Sequence, residues 1–212
     1  LHYVGAGENN EVASRPLIIT IKGRNIAFLN FAENEFSTTS NHKPGANPID
    51  PVKNYKAISE TKKIADKIIV IVHGGHEKFN LPSPRMKSLY RFYADAGADA
   101  VINHHTHCYS GYELYGEVPI FYSLGNFIFD KKNREDGWYI GYAVKLIIGD
   151  KIQFELKPYT QCLHEAGVMP LLESEEYRFK GTISKLNEII GDDRLLREEF
   201  SSYCLKAKSL YL

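Results

Sequence analysis

The 212-residue sequence lacks three features that mark special classes of protein: many cysteines, an excess of one charge and long apolar runs. Its three cysteines (Cys108, Cys162 and Cys204) are far apart with no Cys-x-x-Cys pair, which excludes a disulfide scaffold and favours free thiols in a reducing compartment. Its 26 basic and 26 acidic residues balance, so no general attraction to nucleic acid or to an anionic membrane is expected. The longest apolar run, residues 68–72, is far shorter than the ~18 residues that span a bilayer.

The beginning of the chain lacks two further features, an initiator methionine and a secretory signal peptide. The first residue is Leu1, and the only methionines are Met86 and Met169. No basic segment followed by an apolar one opens the sequence. We therefore expect these residues to be the later part of a longer protein.

The composition that is present, 43% apolar and 25% charged, is that of an ordinary globular protein, and the length predicts one domain, or one domain with an appendage. In the first half, apolar patterns predict a hairpin of residues 16–21 and 25–31, and then alternating helices and strands. The predicted helices cover residues 53–66 and 84–96, and the predicted strands cover residues 67–73 and 99–103. This alternation predicts an α/β layer with parallel strands.

The second half of the sequence has a different pattern of predicted secondary structure, with short strands followed by long helices. The predicted strands, which suit an antiparallel or mixed sheet, cover residues 112–115, 119–124, 138–148 and 151–159. Two amphipathic helices are predicted over residues 173–190 and 192–208, with a break at Gly191.

Histidines cluster at the ends of two predicted strands. Five of the eight histidines fall within 35 residues: His73, His76, His104, His105 and His107. In open α/β sheets, ligands bind beyond the carboxyl ends of the strands, and neutral imidazole is a ready ligand for divalent metals. Each histidine taken alone fits a structural or solvated role, but the group predicts metal or phosphate chemistry.

Several segments carry a more specific signal. Residues 96–107 (AGADAVINHHTH), Gly111 and residues 118–130 (VPIFYSLGNFIFD) resemble the CapA family of bacterial capsule-synthesis, or poly-γ-glutamate, proteins, which are similar to calcineurin-like metallophosphoesterases. Residues 3–7 (YVGAG) and 69–77 (IVIVHGGHE) match the same family in order and spacing. The resemblance covers about residues 1–160.

This resemblance implies a four-layer α/β/β/α sandwich, N-terminally truncated, over residues 1–160, with residues 161–212 as a helical appendage. It implies a site for two divalent ions (Mn, Zn, Fe or Mg) in the complete protein, with His73, His105 and His107 as ligands. Residues expected to line the site are His76, Glu77, His104 and Asn126. The family's remaining ligands, an Asp, a Gly-Asp pair and an Asn-His pair, precede the Val-Gly-Ala-Gly segment and are not found before it here.

The implied function is capsule biosynthesis, with metal-assisted hydrolysis in the complete protein. Its expected partners are an anionic polymer or phosphoester substrate and other capsule-synthesis proteins, with no nucleic acid. The family implies the cell envelope, reached through a membrane anchor upstream of Leu1, whereas the free cysteines favour the cytoplasm. The alternative is a non-catalytic scaffold or polymer-binding protein with a vestigial metal site, because the sequence carries only about half of the ligands.

Three smaller features have two interpretations each. Asn126 is expected either to donate its amide to an anion or to form a turn with Gly125. The aromatic residues Trp138, Tyr139 and Tyr142 suit either a sugar-binding platform or core packing. The basic residues Lys131, Lys132 and Arg134 suit either anion steering or a solvated turn.

Overall fold

The computed structural model describes residues 1–34, 37–129, 136–162 and 165–208 of the chain. The basic residues Lys131, Lys132 and Arg134 lie outside the described residues. The strands are β1 (Ala6–Gly7), β2 (Leu17–Ile21), β3 (Arg24–Ala32), β4 (Gly45–Ala46), β5 (Lys67–His73), β6 (Ala100–His104), β7 (Tyr112–Tyr115), β8 (Val118–Phe121), β9 (Ile140–Ile148), β10 (Ile152–Gln161) and β11 (Val168–Pro170). The helices are α1 (Asn10–Ala13), α2 (Pro51–Thr61), α3 (Pro84–Asp95), α4 (Glu173–Gly191) and α5 (Asp193–Lys208).

The chain divides into two compact units, each assembled from segments that are distant in sequence. Unit 1 consists of Leu1–Gly74, Ser88–Asn103 and Leu114–Ile120. Unit 2 consists of Gly75–Lys87, His104–Glu113 and Phe121–Leu212. Unit 2 runs across residue 160, and the domain boundary expected there remains a prediction.

A six-stranded mixed sheet, in the order β2-β3-β5-β6-β8-β7, confirms the predicted α/β class. Strands β2 and β3 form the predicted antiparallel hairpin, in which Ile21 pairs with Arg24. The two loop residues, Lys22 and Gly23, both have positive φ, which is the backbone that a tight two-residue hairpin loop requires. Strand β3 then pairs in parallel with β5, from Ile26 opposite Lys67 to Ala32 opposite His73.

The core of unit 1 explains the continuous apolar run in β5. Ile68, Ile69, Val70 and Val72 are all buried, as expected of a strand covered on both faces. The polar groups of this core have internal partners. Asn103 is fully buried, accepts a hydrogen bond from the Tyr90 hydroxyl at 2.8 Å and donates one to the carbonyl of Gly74 at 2.8 Å.

Unit 2 is built on a separate antiparallel sheet in the order β11-β10-β9. The prediction that all strands of the second half share one sheet is therefore partly wrong. Strands β7 and β8 join the six-stranded sheet, and only the later strands form the second sheet. Helix α4 buries Phe179, Ile183, Leu186 and Ile190 on one face.

Buried polar contacts fasten the C-terminal helices to the rest of unit 2. The ammonium group of Lys87, which is buried, donates hydrogen bonds to the carbonyl of Ile190 and, at 2.7 Å, to the carboxylate of Asp193. The side-chain oxygen of Asn187 accepts from the backbone of Tyr112 at 2.8 Å. A Cβ at Gly111 would collide with that oxygen, so this contact requires glycine. Among the described residues, no helix has both the length and the apolar character needed to cross a bilayer.

Some helices and strands have different bounds from those predicted, because a helix cap, a 3-10 helix or the pairing of a two-residue strand determines where they begin. Helix α2 begins at Pro51 rather than residue 53, because the Asp50 carboxylate accepts hydrogen bonds from the backbone of Val52 and Lys53. The predicted strand 138–148 begins only at Ile140, since Asp136–Trp138 forms a 3-10 helix. Strand β4 lies between the predicted hairpin and the helix predicted from residue 53, where no element was predicted, and it pairs with β1.

We predict that Asn103→Ala lowers the free energy of unfolding by about 2 to 4 kcal/mol, because two buried groups lose a hydrogen-bond partner. Urea denaturation of the purified chain measures the loss. Gln153→Ala, which removes an exposed amide from β10, is the matched control and should change stability by less than about 0.5 kcal/mol. Equal stabilities for the two variants would contradict the assigned role of Asn103.

The cap at Asp50 predicts a pH dependence. Its hydrogen bond from the backbone of Lys53 is the main cause of a lowered pKa, so the folded state favours the carboxylate. The stabilisation is therefore complete above the ordinary aspartate pKa of about 3.9 and is lost as the pH falls through the lowered value. Asp50→Ala should cost about 1 kcal/mol at pH 7 and less at pH 3 in denaturation experiments. Asp50→Asn, a neutral cap, should show no such loss with pH.

Candidate functional site

The loop from His104 to His107 has an unusual backbone in unit 2. His105 (φ 108°) and His107 (φ 59°) both have positive φ, a conformation that costs about 1 to 3 kcal/mol for residues other than glycine. The buried residue between them, Thr106, anchors the loop. Its hydroxyl donates to the carbonyl of Cys108 at 2.9 Å and shares a hydrogen bond of 2.8 Å with the hydroxyl of Ser123.

This backbone brings the two histidine rings side by side. The ring centroids of His105 and His107 are 6.0 Å apart, with the planes inclined by 44°. The loop is also tied to the segment after β5, because the carbonyl of Thr106 accepts a hydrogen bond from the backbone of Lys78 at 2.8 Å. Two imidazoles of the predicted ligand set therefore lie together within unit 2.

Both ring nitrogens of His107 face polar side chains. Nδ1 lies 2.8 Å from Oδ1 of Asn126, and Nε2 lies 3.8 Å from Oε1 of Glu77. The ring stacks on Trp138 with centroids 5.0 Å apart, and Phe129 meets it edge-on at 5.0 Å. His107 is thus half-buried against two aromatic rings, with one exposed carboxylate near its Nε2.

Asn126 is buried, and its amide is committed within the protein. Nδ2 donates to the carbonyl of His107 and to the carbonyl of Trp138, both at 3.1 Å. These bonds use both amide hydrogens, so neither is left for the anion that the sequence analysis considered. Gln161 continues the network, because its amide donates to the same Trp138 carbonyl at 3.1 Å and accepts from the backbone of Phe129 at 2.9 Å.

The loop after β5 separates two residues that the sequence analysis grouped. The exposed carboxylate of Glu77 is the one near His107, whereas the ring of His76 packs against Phe200 and Tyr203 of α5, with centroids 5.3 and 5.7 Å away. Gly75 has a φ of 116°, and a Cβ there would lie 2.9 Å from side-chain atoms of Met86 and Thr106. The tight loop therefore depends on glycine at this position.

The remaining predicted residues lie at strand ends. His73 ends β5 in unit 1, where its side chain is exposed and its carbonyl accepts from the backbone of Glu33 at 2.9 Å. His104 is half-buried at the end of β6. Shared metal ligation by His73, His105 and His107 stays a prediction.

The donors near His107 fit a divalent metal in kind but not in number. Imidazole and carboxylate suit Zn, Mn or Fe. Within the described ranges, however, no group of three or more His, Cys, Asp or Glu side chains is placed to hold a metal ion. A complete metal centre is therefore not formed by these residues alone.

Cys108 lies next to the histidine loop but is not ionised at neutral pH. All three cysteines are free, as predicted. Burial raises the pKa of the Cys108 thiol to about 11, although a hydrogen bond with Thr106 opposes the shift. Cys108 is accordingly a neutral thiol beside the histidine loop.

Sequence reasoning identified Asn126, Glu77 and His105 but missed the aromatic residues that surround His107. Trp138 and Tyr142 are buried, which confirms core packing rather than an exposed sugar platform for these two. Contact between Trp138 and His107 had no signal in the sequence, apart from Trp138 being the only tryptophan. Gln161 carries no motif and meets the site only through the fold, whereas Ser123 lies within the family motif of residues 118–130 but was not expected at the site.

Comparison with known proteins agrees with these motifs. The sequence model of the family "Bacterial capsule synthesis protein PGA_cap" matches residues 1–131, more than half of the chain. This chain belongs to that family. The PGA_cap match contains the histidine loop, Asn126 and the whole of the loop after β5.

Two curated relatives from Bacillus are similar to this PGA_cap chain. It is 36% identical over 144 residues to the "Capsule biosynthesis protein CapA" of Bacillus anthracis, an alignment that covers 65% of this chain and 34% of that protein. It is also 36% identical over 177 residues to the "PGA biosynthesis protein CapA" of Bacillus subtilis (strain 168), covering 81% of this chain and 45% of that protein. The chain thus spans between a third and a half of the length of these relatives.

Among solved structures, a hypothetical protein from Thermus thermophilus is similar at a TM-score of 0.45 with 14% identity. The similarity covers 74% of this chain and 62% of that one.

The geometry at Gly75 predicts that Gly75→Ala destabilises unit 2 by about 2 to 3 kcal/mol, since the new Cβ is both strained and crowded. Amide hydrogen exchange should then accelerate at Lys78, whose backbone donates to Thr106. Gly137→Ala is the matched control, because a Cβ there meets open space. If Gly75→Ala were as stable as Gly137→Ala, the loop would not need glycine.

Proposed function

We propose that this chain is part of a protein that makes or handles a bacterial capsule polymer of the poly-γ-glutamate type. The observation that carries this proposal is the 36% identity over 177 residues to the Bacillus subtilis protein named for PGA biosynthesis. The anionic polymer, or a phosphoester related to it, is the proposed substrate class. Other capsule-synthesis proteins are the proposed partners.

We also propose a finer fold for the complete domain, the four-layer α/β/β/α sandwich of metallophosphoesterases. A six-stranded mixed sheet and a second, antiparallel sheet support it. Helices α2 and α4, which each bury one face, are suited to outer layers.

In this proposal, His105 and His107 belong to a divalent-metal site with Glu77 as a further donor, and the complete protein holds two ions. His73 is also a proposed metal ligand. A bound divalent ion supplies Lewis-acid polarisation of a phosphoryl oxygen. The support lies in the donor chemistry: an imidazole nitrogen of His107 beside the carboxylate of Glu77, with a second imidazole next to it. Since the described donors do not complete a site, no reaction step is assigned to these residues.

In this proposal, the residues around His105 and His107 hold the metal-binding imidazoles in place. Asn126 fixes the ring of His107 from one side, Trp138 stacks on it, and Phe129 makes an edge-on contact with it. Thr106 fixes the backbone between the two histidines. Such support of ligands by surrounding residues is typical of metal sites in proteins.

A second candidate function is a scaffold that binds the polymer or its synthase without catalysis. It is favoured by one observation, that the described residues contain no group of three metal-binding side chains. The same histidines would then be structural, and their replacement would not alter metal content or binding.

We predict that the 212-residue protein binds at most one equivalent of Zn²⁺ or Ni²⁺, weakly, and hydrolyses phosphoesters negligibly. Two divalent cations about 4 Å apart repel strongly, and bridging anions such as a shared aspartate are needed to offset the repulsion. Titration calorimetry should show this stoichiometry, with affinity reduced at least about tenfold in His105→Ala and His107→Gln. His42→Ala, at an exposed histidine, is the control.

The two candidate functions give different results in this titration. Binding that is lost in His105→Ala and His107→Gln but kept in His42→Ala supports the metal site. No binding, or binding that all three variants share equally, supports the scaffold. Two tight equivalents, or robust turnover of a phosphodiester, would show that this chain completes the ligand set itself. For the whole protein, a screen of phosphomonoesters and phosphodiesters with Mn, Zn and Mg on a longer chain tests the hydrolase.

A further inference from the structure

The hydrogen bonds around Asn126 determine which way its amide group points. Nδ2 lies 3.1 Å from two carbonyl oxygens, those of His107 and Trp138. A reversed amide would place Oδ1 against both of these oxygens, where no hydrogen could lie between acceptors. Asn126 is buried, so water cannot relieve such a contact. The amide therefore has one orientation, with Oδ1 directed at His107.

This orientation in turn determines where His107 carries its hydrogen. Oδ1 of Asn126 is an acceptor only, and it lies 2.8 Å from Nδ1 of the ring. Nδ1 must therefore be the protonated nitrogen. In a neutral imidazole the other nitrogen, Nε2, then holds the lone pair.

The lone pair of Nε2 faces the carboxylate of Glu77 at 3.8 Å. Two electron-pair donors that face each other attract a cation rather than an anion. The aromatic contacts of Trp138 and Phe129 with the ring keep it from turning over to exchange the two nitrogens.

We infer that Asn126 is a positioning residue that fixes His107 as its Nδ1-protonated tautomer and so presents Nε2, opposite Glu77, to a divalent cation. The tautomer stands on the hydrogen bonds alone, and only the cation rests on the proposed function. The same amide holds the carbonyl of His107, so one buried side chain sets both the left-handed backbone and the ring. The sequence could not show this, because 19 positions separate the two residues.

Nitrogen-15 NMR of the histidine side chains tests the tautomer without any metal. Spectra are recorded on the metal-free protein at pH ~8.5, above the ordinary imidazole pKa of about 6.5. The signals of His107 are those that disappear in His107→Gln. We expect a protonated Nδ1 and a lone-pair Nε2 in the wild type. A wild-type His107 with its hydrogen on Nε2 would overturn the inference whatever the variants do.

Two variants separate positioning from general structural support. Asn126→Ala should shift His107 towards the Nε2-protonated tautomer, because the acceptor that faces Nδ1 is removed. Gln161→Ala is the matched control, since it removes a buried amide from the same Trp138 carbonyl without touching the ring of His107. It should leave the tautomer unchanged. A shift of equal size in Gln161→Ala and Asn126→Ala would overturn the role of Asn126.

Metal titration of the same variants distinguishes this inference from the proposed function. If both hold, Asn126→Ala should lower Zn²⁺ or Ni²⁺ affinity about 10- to 100-fold, and Gln161→Ala should lower it less. If the wild type shows the Nδ1-protonated tautomer but binds no metal, the tautomer assignment stands and the cation site fails. Thermal unfolding of each variant checks that a changed spectrum comes from folded protein.

Discussion

The arrangement of unit 2 around the histidine loop depends on one constraint: a backbone with positive φ at His105 and His107 must be held by buried hydrogen bonds. Left to itself such a backbone would relax, because each of these residues is strained by about 1 to 3 kcal/mol. Thr106 holds the loop from inside through Ser123 and the carbonyl of Cys108, and Asn126 holds the carbonyl of His107. The exposed and half-buried donors, His105, His107 and Glu77, are displayed by this buried polar framework.

Apolar packing could not replace these buried polar side chains, because it would leave backbone carbonyls of the loop without hydrogen-bond partners. An apolar residue at Asn126 would leave the carbonyls of His107 and Trp138 without that amide, inside a region with little access to water. Buried networks of this kind are stabilising only when every member is satisfied. Strained backbone supported by such a network is typical of functional sites, and no comparable need exists in the apolar core around β5.

Much of the fold could be predicted from the sequence because local patterns determined it. The run KIIVIVH predicts a strand buried on both faces, and β5 has the predicted bounds Lys67–His73. The Lys22-Gly23 turn similarly predicts the hairpin of β2 and β3. Prediction was poorer where pairing partners decide the element. Strand β4 consists of two residues that become a strand only by pairing with β1, and the assignment of strands to two sheets depends on contacts that no local pattern encodes.

At the candidate site, too, some features could be predicted from local sequence and others depended on contacts made only in the folded chain. Histidines at strand ends were visible in the sequence, as was Glu77, because strand ends of an α/β sheet are where ligands bind. Asn126 was expected to line the site, but its contact with His107 and that of Trp138 were not visible, because these residues come from segments that meet only in the folded unit. His76 was grouped with the site by its nearness in sequence, yet its ring packs on α5. Sequence spacing thus identified donors, while their orientation required the hydrogen-bond network.

Two buried polar side chains hold the backbone that follows the strand ends. The hydroxyl of Thr106 makes the two hydrogen bonds that fix the loop after β6, which an apolar residue could not make. The amide of Asn103 joins Tyr90 of α3 to the carbonyl of Gly74 at the turn after β5. A buried polar group is costly when it lacks a partner, but both of these groups have partners within the protein. The segments that follow β5 and β6 are therefore each held in place by buried hydrogen bonds rather than by apolar packing alone.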